Sequence, residues 1–374
     1  MKDKICALFN VASFYREPIY MILDKELKCD FYFGDKTHTP IKKMDYSVLS
    51  GFQKELKFIK LIGNFNWLQG TIKLLFKGYD TFILTGESYC LSNWLLLLYC
   101  NVTNKRIYMW THGWSGRENR IKRIIKKQIY KLSTGVFLYG DYAKELMLSE
   151  GFSEQKLFPI YNSLDYNLHL KLRDKLKKTD VFNSYFKNDN PTLIYVGRLQ
   201  KAKRIDLIFE AISLLKKENV YVNFIVVGGK SDIDFTEKDL KEWNIAKQVW
   251  FYGPCYDETI LAELFYNAEV CVSPGNVGLT AVHSLSFGTP VITHKNFKNQ
   301  GPEFEVITEG KTGSFFDENN VDDLANKIKH YTNMDESQKS EIKSNCYNVI
   351  DERYNPHYQL SVIKRVLNAK PSLK

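Results

Sequence analysis

The stretch TLIYVGRLQKAKRIDLIFEAISLLKK, residues 192–217, decides the fold of this chain. Its apolar start predicts a buried strand over Thr192–Val196, and its later periodicity predicts a helix over Ile205–Lys216. A strand, a glycine-containing turn and a helix make up the repeating unit of a parallel α/β sheet. In such sheets ligands bind at the carboxyl ends of the strands. The turn between the two elements is therefore the first place to look for chemistry.

The same alternation continues along the chain in both directions. Further helices are predicted over Pro18–Leu27, Leu68–Phe76 and Ile121–Leu132, and the tail over Ser337–Leu367 reads as helical. A charged run ending in NDNP, residues 171–190, separates two series of strands and helices and predicts a domain boundary. We therefore expect an α/β protein with two Rossmann-like domains facing each other across a cleft. The predicted domains are residues 1–170 and 190–350, with a C-terminal helix over about 352–374 that packs back on the first domain.

Composition excludes several classes of protein. The 374 residues include 24 Phe, 23 Tyr and 6 Trp, which is ample core material and excludes a mainly disordered chain. The longest apolar run, Trp94–Cys100, is far shorter than the ~20 residues of a membrane-spanning helix. The seven cysteines form no C-x-x-C pair, and no signal peptide is predicted, so the sequence indicates a reduced, cytoplasmic protein. The net charge of +9 favours an anionic partner such as a nucleotide, a phosphate or a membrane surface.

Two segments carry residues suited to binding a diphosphate. In the first, Gly197 allows close approach to a ligand, and Arg198 and Lys203 supply a planar fork and a point charge. Taken alone, this segment is equally consistent with a loop of solvated cations. In the second, SPGNVGLTAVHSLSFGTPVITH over residues 273–294, a helix is predicted to begin near Gly278, so that the N–H groups of Leu279 and Thr280 form an anion site. Taken alone, this second segment is common in α/β proteins.

Together the two segments resemble the glycosyltransferases of the GT-B fold, specifically family 4 of the retaining enzymes. The resemblance covers roughly residues 192–328, and only Trp110–Gly113 and Asn162–Asp165 extend it into the first half. The residues that carry it follow in order: Gly197-Arg198-Leu199 with Lys203, Val227-Gly228-Gly229, Tyr252-Gly253, Ser273-Pro274, Gly278-Leu279, Gly288-Thr289-Pro290-Val291, and Glu305 with Gly310 and Gly313.

The resemblance implies a nucleotide-sugar donor held mainly by the second domain. It carries Arg198 and Lys203 over as diphosphate ligands and the Gly278–Thr280 backbone as further phosphate contacts. It places Glu305 near the nucleotide and His112 near the reacting sugar carbon. The alternative interpretation of Glu305 is a helix-capping acid. The alternative interpretation of His112 is a structural histidine.

The chain departs from the family at the two glutamates that normally flank the Gly-Leu turn. Those positions hold Gly275 and His283. Gly275 cannot bind donor-sugar hydroxyls, and the neighbouring Asn276 is the candidate replacement. A neutral His283 has one acceptor nitrogen, which suits one ribose hydroxyl. We therefore expect the chain to bind a nucleotide, whereas the sequence does not predict which sugar it selects.

No metal and no cofactor are expected, because positioned cations and helix N–H groups can stabilise the charge on a leaving diphosphate. The triplet Asp232-Ile233-Asp234 is interpreted as a solvated loop or helix cap rather than a metal site. Arg16 and Glu17 follow the first strand and are candidates for the acceptor side. Glu17 also suits the first turn of a helix, where the dipole favours an acid.

The basic segment over residues 116–132 has two interpretations. An apolar stripe of isoleucines predicts a helix packed on the sheet with a solvated cationic face. The alternative is that the Arg117–Lys131 face docks on anionic lipid, at ~1 kcal/mol per nearby cation. No RNA or DNA motif accompanies the charge, so no nucleic-acid partner is expected.

The sequence therefore predicts a glycosyltransferase that moves a sugar from a nucleotide-sugar donor to a glycan acceptor, lipid-linked in our interpretation, in bacterial surface polysaccharide biosynthesis. The same prediction includes retention of the stereochemistry of the sugar and a location on the inner face of the plasma membrane. Two alternatives remain: a catalytically inactive scaffold of a polysaccharide assembly complex, suggested by the missing glutamates, and a nucleotide-sugar epimerase.

Overall fold

The computed structural model describes residues 3–36, 42–233, 235 and 237–369, which form two compact units. The first unit comprises residues 1–165 and 355–374, and the second residues 166–354. The strands of the first unit are β1 Ile5–Phe9, β2 Asp30–Gly34, β3 Phe52–Lys60, β4 Asn66–Gln69, β5 Thr81–Thr85, β6 Arg106–Thr111, β7 Gly135–Leu138 and β8 Leu157–Pro159. Its helices are α1 Glu17–Leu27, α2 Leu91–Val102, α3 Arg120–Leu132, α4 Asp141–Ser149 and, from the C-terminal segment, α13 Pro356–Asn368.

The second unit follows the strand–helix alternation that its sequence predicts. Its strands are β9 Thr192–Val196, β10 Asn223–Val227, β11 Val249–Gly253, β12 Val270–Val272, β13 Val291–His294 and β14 Gly313–Phe316. Its helices are α5 Tyr166–Arg173, α6 Val181–Phe186, α7 Asp206–Lys217, α8 Glu237–Glu242, α9 Glu258–Asn267, α10 Leu279–Ser286, α11 Val321–Thr332 and α12 Glu336–Glu352.

Each unit is built on one sheet whose strand order reverses direction at a single point. The second sheet runs β11-β10-β9-β12-β13-β14 and is parallel throughout, which is the doubly wound order of a Rossmann fold. The first sheet runs β4-β3-β2-β1-β5-β6-β7-β8, and only the pair β3–β4 is antiparallel. The order reverses between β9 and β12 in the second unit and between β1 and β5 in the first. Ligands of open α/β sheets bind at such switch points, so the fold predicts ligand binding at the loops that follow these four strands.

Helix α13 belongs to the core of the first unit although it lies at the far end of the chain. It packs against α1, and its buried Val362 and Ile363 join the same apolar cluster as Ile19 and Leu23. Full burial of an aliphatic side chain contributes about 1.5–3 kcal/mol, so these contacts hold α13 to the first unit.

One expectation about the elements is wrong. The segment predicted as a helix over residues 68–76 begins as strand β4, which pairs with β3, and continues as a 3₁₀ helix. The charged run over residues 171–190 lies within the second unit, where α5 and α6 pack on α9. The tail is helical as predicted and is divided in two, because Pro356 begins α13 and cannot continue α12.

Candidate functional site

In the second unit, two loops meet at the switch point between β9 and β12. The backbone N–H of Gly275, after β12, donates to the carbonyl of Lys203, after β9, at 3.0 Å. The Lys203 ammonium donates to the carbonyl of Asn276 at 2.6 Å. The Thr280 hydroxyl donates to the carbonyl of Val196 at 2.8 Å. The residues predicted as one diphosphate site are therefore neighbours, although more than 70 positions separate them in the sequence.

The two cations of this site differ in exposure. Arg198 is exposed, whereas Lys203 is half-buried in the short 3₁₀ turn that precedes α7. Burial lowers the pKa of the Lys203 ammonium, and the nearby Glu303 carboxylate opposes that effect. Lys203 thus lies in a less aqueous environment, in which a point charge acts more strongly on an anion.

The side chain of Gln300 holds the segment that directly precedes α10. Gly278 directly precedes the helix, and Leu279 and Thr280 form its first turn. The side chain of Gln300 accepts from the N–H of Val277 at 2.7 Å and donates to the Thr293 hydroxyl at 2.9 Å. The first N–H groups of α10 have no partner within the helix, so this end can bind an anion.

The structure gives a physical reason for the glycine at position 275. A Cβ atom built there would lie 2.0 Å from the carbonyl oxygen of Ala202 and 2.6 Å from the Cα of Lys203. No side chain fits in that space. Gly275 therefore belongs to a loop arrangement in which two backbones pass in contact.

His283 belongs to a cluster with two residues that sequence reasoning missed. Its Nε2 lies 2.9 Å from Oε2 of Glu258, and Nε2 of His169 lies 3.3 Å from the same oxygen. The two imidazole rings stack with centroids 5.2 Å apart and an angle of 4° between their planes. Burial would raise the pKa of the Glu258 carboxyl, but both imidazoles outweigh that effect and hold it well below its usual range. His169 and Glu258 are 89 positions apart, and no spacing in the sequence points to their meeting.

The remaining predicted residues of the second unit lie around the same loops. The Asn276 side chain is exposed, and Glu305 is half-buried in a 3₁₀ helix over Pro302–Val306 that packs against α10. Asp232 accepts from the backbone N–H of Lys201 at 2.9 Å, as expected of a loop-capping acid. Asp234 lies outside the described residues.

In the first unit, a cavity of 520 Å³ lies at the switch point between β1 and β5. Its walls come from the loops after β1, β5 and β6 and from α3. Its polar and aromatic lining includes Asn10, Ser13, Tyr15, Arg16, Asn64, Asn66, Thr85, Glu87, Ser88, Tyr89, Trp110, Thr111, His112, Lys122, Lys126, Tyr130 and Tyr139. Amides, hydroxyls, one carboxylate and tyrosine rings together suit a polyhydroxylated ligand.

Arg16 and His112, predicted from the sequence, both line this cavity. Arg16 donates to the Tyr139 hydroxyl, and the His112 ring lies 4.7 Å from the Tyr139 ring. The His112 residue is exposed and lines the cavity. Desolvation by the surrounding protein, together with the charges of Arg16 and Lys126, lowers the pKa of its imidazole to about 4, so the ring is neutral at physiological pH. Glu17 is the first residue of α1 and is not among the described residues that line the cavity.

Two buried polar atoms on the cavity wall have no hydrogen-bond partner among the described residues. They are Oδ1 of Asn66 and Nε1 of Trp110, in side chains that are 4% and 2% exposed. Burying such groups without a partner costs about 1–3 kcal/mol each, so the cavity wall contains two unsatisfied polar groups. Nearby, the Asn10 amide donates to Oε1 of Glu87 at 2.6 Å. Sequence reasoning named Trp110 only as part of the Trp110–Gly113 segment, and it missed Asn10, Asn66 and Glu87, although Asn10 and Glu87 follow predicted strands.

The basic helix α3 is not the simple amphipathic helix that its sequence predicts. Lys126 is buried and donates to Oε1 of Glu118 at 2.7 Å, whereas Ile121 and Ile124 are 70% and 56% exposed. Two isoleucines of the predicted apolar stripe are therefore exposed, whereas Lys126, predicted on the solvated cationic face, is buried against Glu118. Among the described helices, none combines the length and the apolar character needed to cross a bilayer.

Comparison with known proteins agrees with this architecture. Residues 177–349 match the family model described as Glycosyl transferases group 1. The poly(ribitol-phosphate) alpha-N-acetylglucosaminyltransferase of Staphylococcus aureus strain COL is 25% identical over 174 residues, which is 46% of this chain and 34% of that protein. The matched part thus spans about a third of that relative's length.

Two solved structures resemble nearly the whole chain. Anabaena HepE in complex with UDP aligns with a TM-score of 0.71 at 16% identity, covering 97% of this chain and 99% of its own. The apo form of the lipopolysaccharide outer core galactosyltransferase WaaB aligns with a TM-score of 0.67 at 14% identity, with the same coverage. At these identities the likeness establishes the fold, and it confirms the predicted fold class. Residues 177–349 therefore resemble the glycosyl transferases group 1 family, and the chain as a whole has the α/β fold in two units that its GT-B structural neighbours share.

Proposed function

We propose that this chain transfers a glycosyl group from a nucleoside diphosphate sugar to a hydroxyl of a glycan. The observation that carries the proposal is the convergence of Arg198, Lys203 and the start of α10 at the switch point of the second sheet. That site suits a diphosphate, and the polar cavity of the first unit suits a saccharide. The binding of UDP by the HepE structure supports a nucleotide on this fold.

The chemistry follows from where charge develops. The bond between the anomeric carbon and the oxygen of the β-phosphate breaks, and its electron pair stays on the departing diphosphate. The acceptor oxygen forms a bond to the same carbon, and its proton passes to the departing phosphate oxygen. Arg198, Lys203 and the N–H groups of α10 stabilise the growing negative charge, which lowers the barrier. This route needs no protein base and no metal, and it retains the configuration of the sugar.

We assign the nucleoside end of the donor to the side of α10 that carries His283. If Nε2 of His283 donates to Glu258, its Nδ1 is the acceptor and can receive one ribose hydroxyl. His283→Ala should therefore weaken nucleotide binding, measured by titration with the nucleoside diphosphate.

On the acceptor side, the unpartnered Asn66 oxygen and Trp110 N–H suit a sugar hydroxyl, which both donates and accepts. Arg16 and the neutral His112 add donors and acceptors on the same wall. We assign the acceptor to this cavity, and we propose a surface polysaccharide as its source because the relatives include WaaB and the Staphylococcus aureus enzyme.

A screen of thermal stability against UDP, GDP, CMP and ADP sugars tests the donor site directly. One nucleotide class should raise the midpoint of unfolding, and the same donor should support transfer or slow hydrolysis. Nucleotide binding without any turnover would instead favour an inactive scaffold. Interconversion of the donor sugar without transfer would favour an epimerase.

We also propose that α3 docks on an anionic membrane, where a lipid-linked acceptor would be found. Exposed Ile121 and Ile124 lie among exposed Arg120, Lys122 and Arg123. This is the pattern of an interfacial helix, with apolar side chains for the acyl boundary and cations for the headgroups. Binding to vesicles should require anionic lipid and weaken with salt. Ile121→Ser with Ile124→Ser should reduce it, and unchanged binding after reversal of Lys122 and Arg123 to Glu would reject the proposal.

A further inference from the structure

The His169, Glu258 and His283 cluster lies within the second unit and brings together three side chains from three helices, α5, α9 and α10. Their ligand atoms all lie within 4.8 Å of one another. Two imidazole nitrogens and a carboxylate oxygen are the ligand set of His₂Glu zinc sites, in which water takes the fourth position.

Two distances within the cluster lie near those around a bound zinc ion. With metal–ligand bonds of about 2.0–2.2 Å, neighbouring ligand atoms of a tetrahedral zinc lie about 3.3 Å apart. The two nitrogen–oxygen distances here are 2.9 and 3.3 Å. The two imidazole nitrogens lie within 4.8 Å of each other, so a shared ion requires them to draw together and the Glu258 carboxylate to withdraw.

The surroundings give the cluster one closed side and one open side. The stacked imidazoles rest on the rings of Phe265 and Phe287, with centroids 4.8–5.5 Å away. The side chains of His169 and His283 are 2% and 12% exposed, whereas that of Glu258 is 33% exposed. The apolar side orients the imidazoles, and the open side admits water as a further ligand.

We propose that His169, Glu258 and His283 bind a zinc ion that ties α5 to α9 and α10. Imidazole and carboxylate together favour zinc over magnesium or calcium, which prefer sites made of oxygen ligands. The ion would fix α10 from its side without taking part in glycosyl transfer. The inference shares His283 with the proposed donor site: when zinc occupies Nε2, the proton of the neutral imidazole lies on Nδ1, which then donates to a ribose hydroxyl instead of accepting from it.

The test is zinc binding by the full-length chain after removal of bound metal. Zinc is titrated in competition with a chromophoric chelator, and cobalt replaces zinc for absorption spectroscopy. The matched variants are His169→Gln, Glu258→Gln and His283→Gln, and the control is His330→Gln, which removes an exposed histidine of the same unit.

Wild type and the control should bind one zinc per chain, gain thermal stability from zinc but not from magnesium, and give the visible bands of four- or five-coordinate cobalt. Each cluster variant should lower zinc affinity at least ~100-fold, because loss of a direct ligand exceeds the ~10–100-fold cost of losing an outer partner. His169→Gln should leave nucleotide affinity unchanged, which separates this proposal from the ribose contact assigned to His283. Zinc uptake by wild type equal to that of the three variants, or cobalt bands that persist in them, would overturn the proposal. If a variant does not fold, the stoichiometry and cobalt spectrum of wild type decide alone.

Discussion

Removal of the Lys203 ammonium is the perturbation that probes the proposed chemistry most directly. In the structure this group donates to the carbonyl of Asn276 beside the start of α10, in a half-buried position. At a separation of about 4 Å and an effective dielectric constant of about 20, two unit charges interact by about 4 kcal/mol. Only the part of this energy that grows as the glycosidic bond breaks lowers the barrier. Loss of one such donor typically costs about 2.7–4 kcal/mol, or ~100- to 1000-fold in rate.

We therefore expect Lys203→Ala to reduce turnover on the order of 100- to 1000-fold, with a smaller loss of donor affinity. In Arg198→Ala the loss of turnover should be at the lower end of this range, on the order of 100-fold, because water screens the exposed guanidinium before the donor binds. Lys201→Ala is the matched control, since it removes the same charge from an exposed position in the same 3₁₀ turn.

The assay is the initial rate of transfer or donor hydrolysis over a donor titration, so that turnover and affinity are read separately. Circular dichroism and the midpoint of thermal unfolding show whether each variant is folded. Turnover at the wild-type rate in both Lys203→Ala and Arg198→Ala would refute the assigned site. A loss of equal size in Lys201→Ala would show that net charge, rather than position, is responsible.

Three further predictions follow from other parts of the structure. Glycosyl transfer should persist in EDTA, because protein cations take the place of a metal at the diphosphate, and an absolute need for Mg²⁺ or Mn²⁺ would contradict this mechanism. Gly275→Glu should impair folding or activity, because its Cβ would lie 2.0 Å from the Ala202 carbonyl, and a gain in turnover would show that the loop opens. Burial raises the pKa of the Glu118 carboxyl, but its hydrogen bond to Lys126 outweighs that effect and holds the pKa at about 2. Because the ordinary pKa of a glutamate is 4.5, the ionised pair stabilises the fold above pH 4.5, and this stabilisation is lost as the pH falls from 4.5 to 2. Glu118→Gln should reduce the free energy of unfolding at pH 7 by about 3–5 kcal/mol, because Lys126 then stays buried without a counter-charge. The loss of stability between pH 4.5 and 2, measured by chemical denaturation, should also become smaller in this variant. An unchanged free energy of unfolding would show that the pair contributes nothing.

The sequence by itself determined the class of fold and the location of the two loops that we propose bind the diphosphate. Short apolar runs and helical periodicity are local properties, so the strand over Thr192–Val196 and the helix predicted over Ile205–Lys216 have bounds close to those observed, whereas the short helix Glu237–Glu242 was not predicted. Gly197, Arg198 and Lys203 follow a strand, and Gly278 precedes a helix, so their proximity followed from the rule for switch points. The strand Phe52–Lys60 escaped prediction because four of its residues are charged and only Leu56 is buried, so it lacks the apolar run of a buried strand.

Only the tertiary structure decided the contacts between residues that are distant in the chain. The meeting of His169 with Glu258, and the burial of Lys126 against Glu118, depend on how helices and loops pack, and a side chain's partner across the fold leaves no periodic trace in the sequence. The absence of space at Gly275 is of the same kind, since it arises where one backbone passes another. Local order thus follows from propensity and patterning, whereas the chemistry of each site is set by packing, because burial and neighbours determine which charges act.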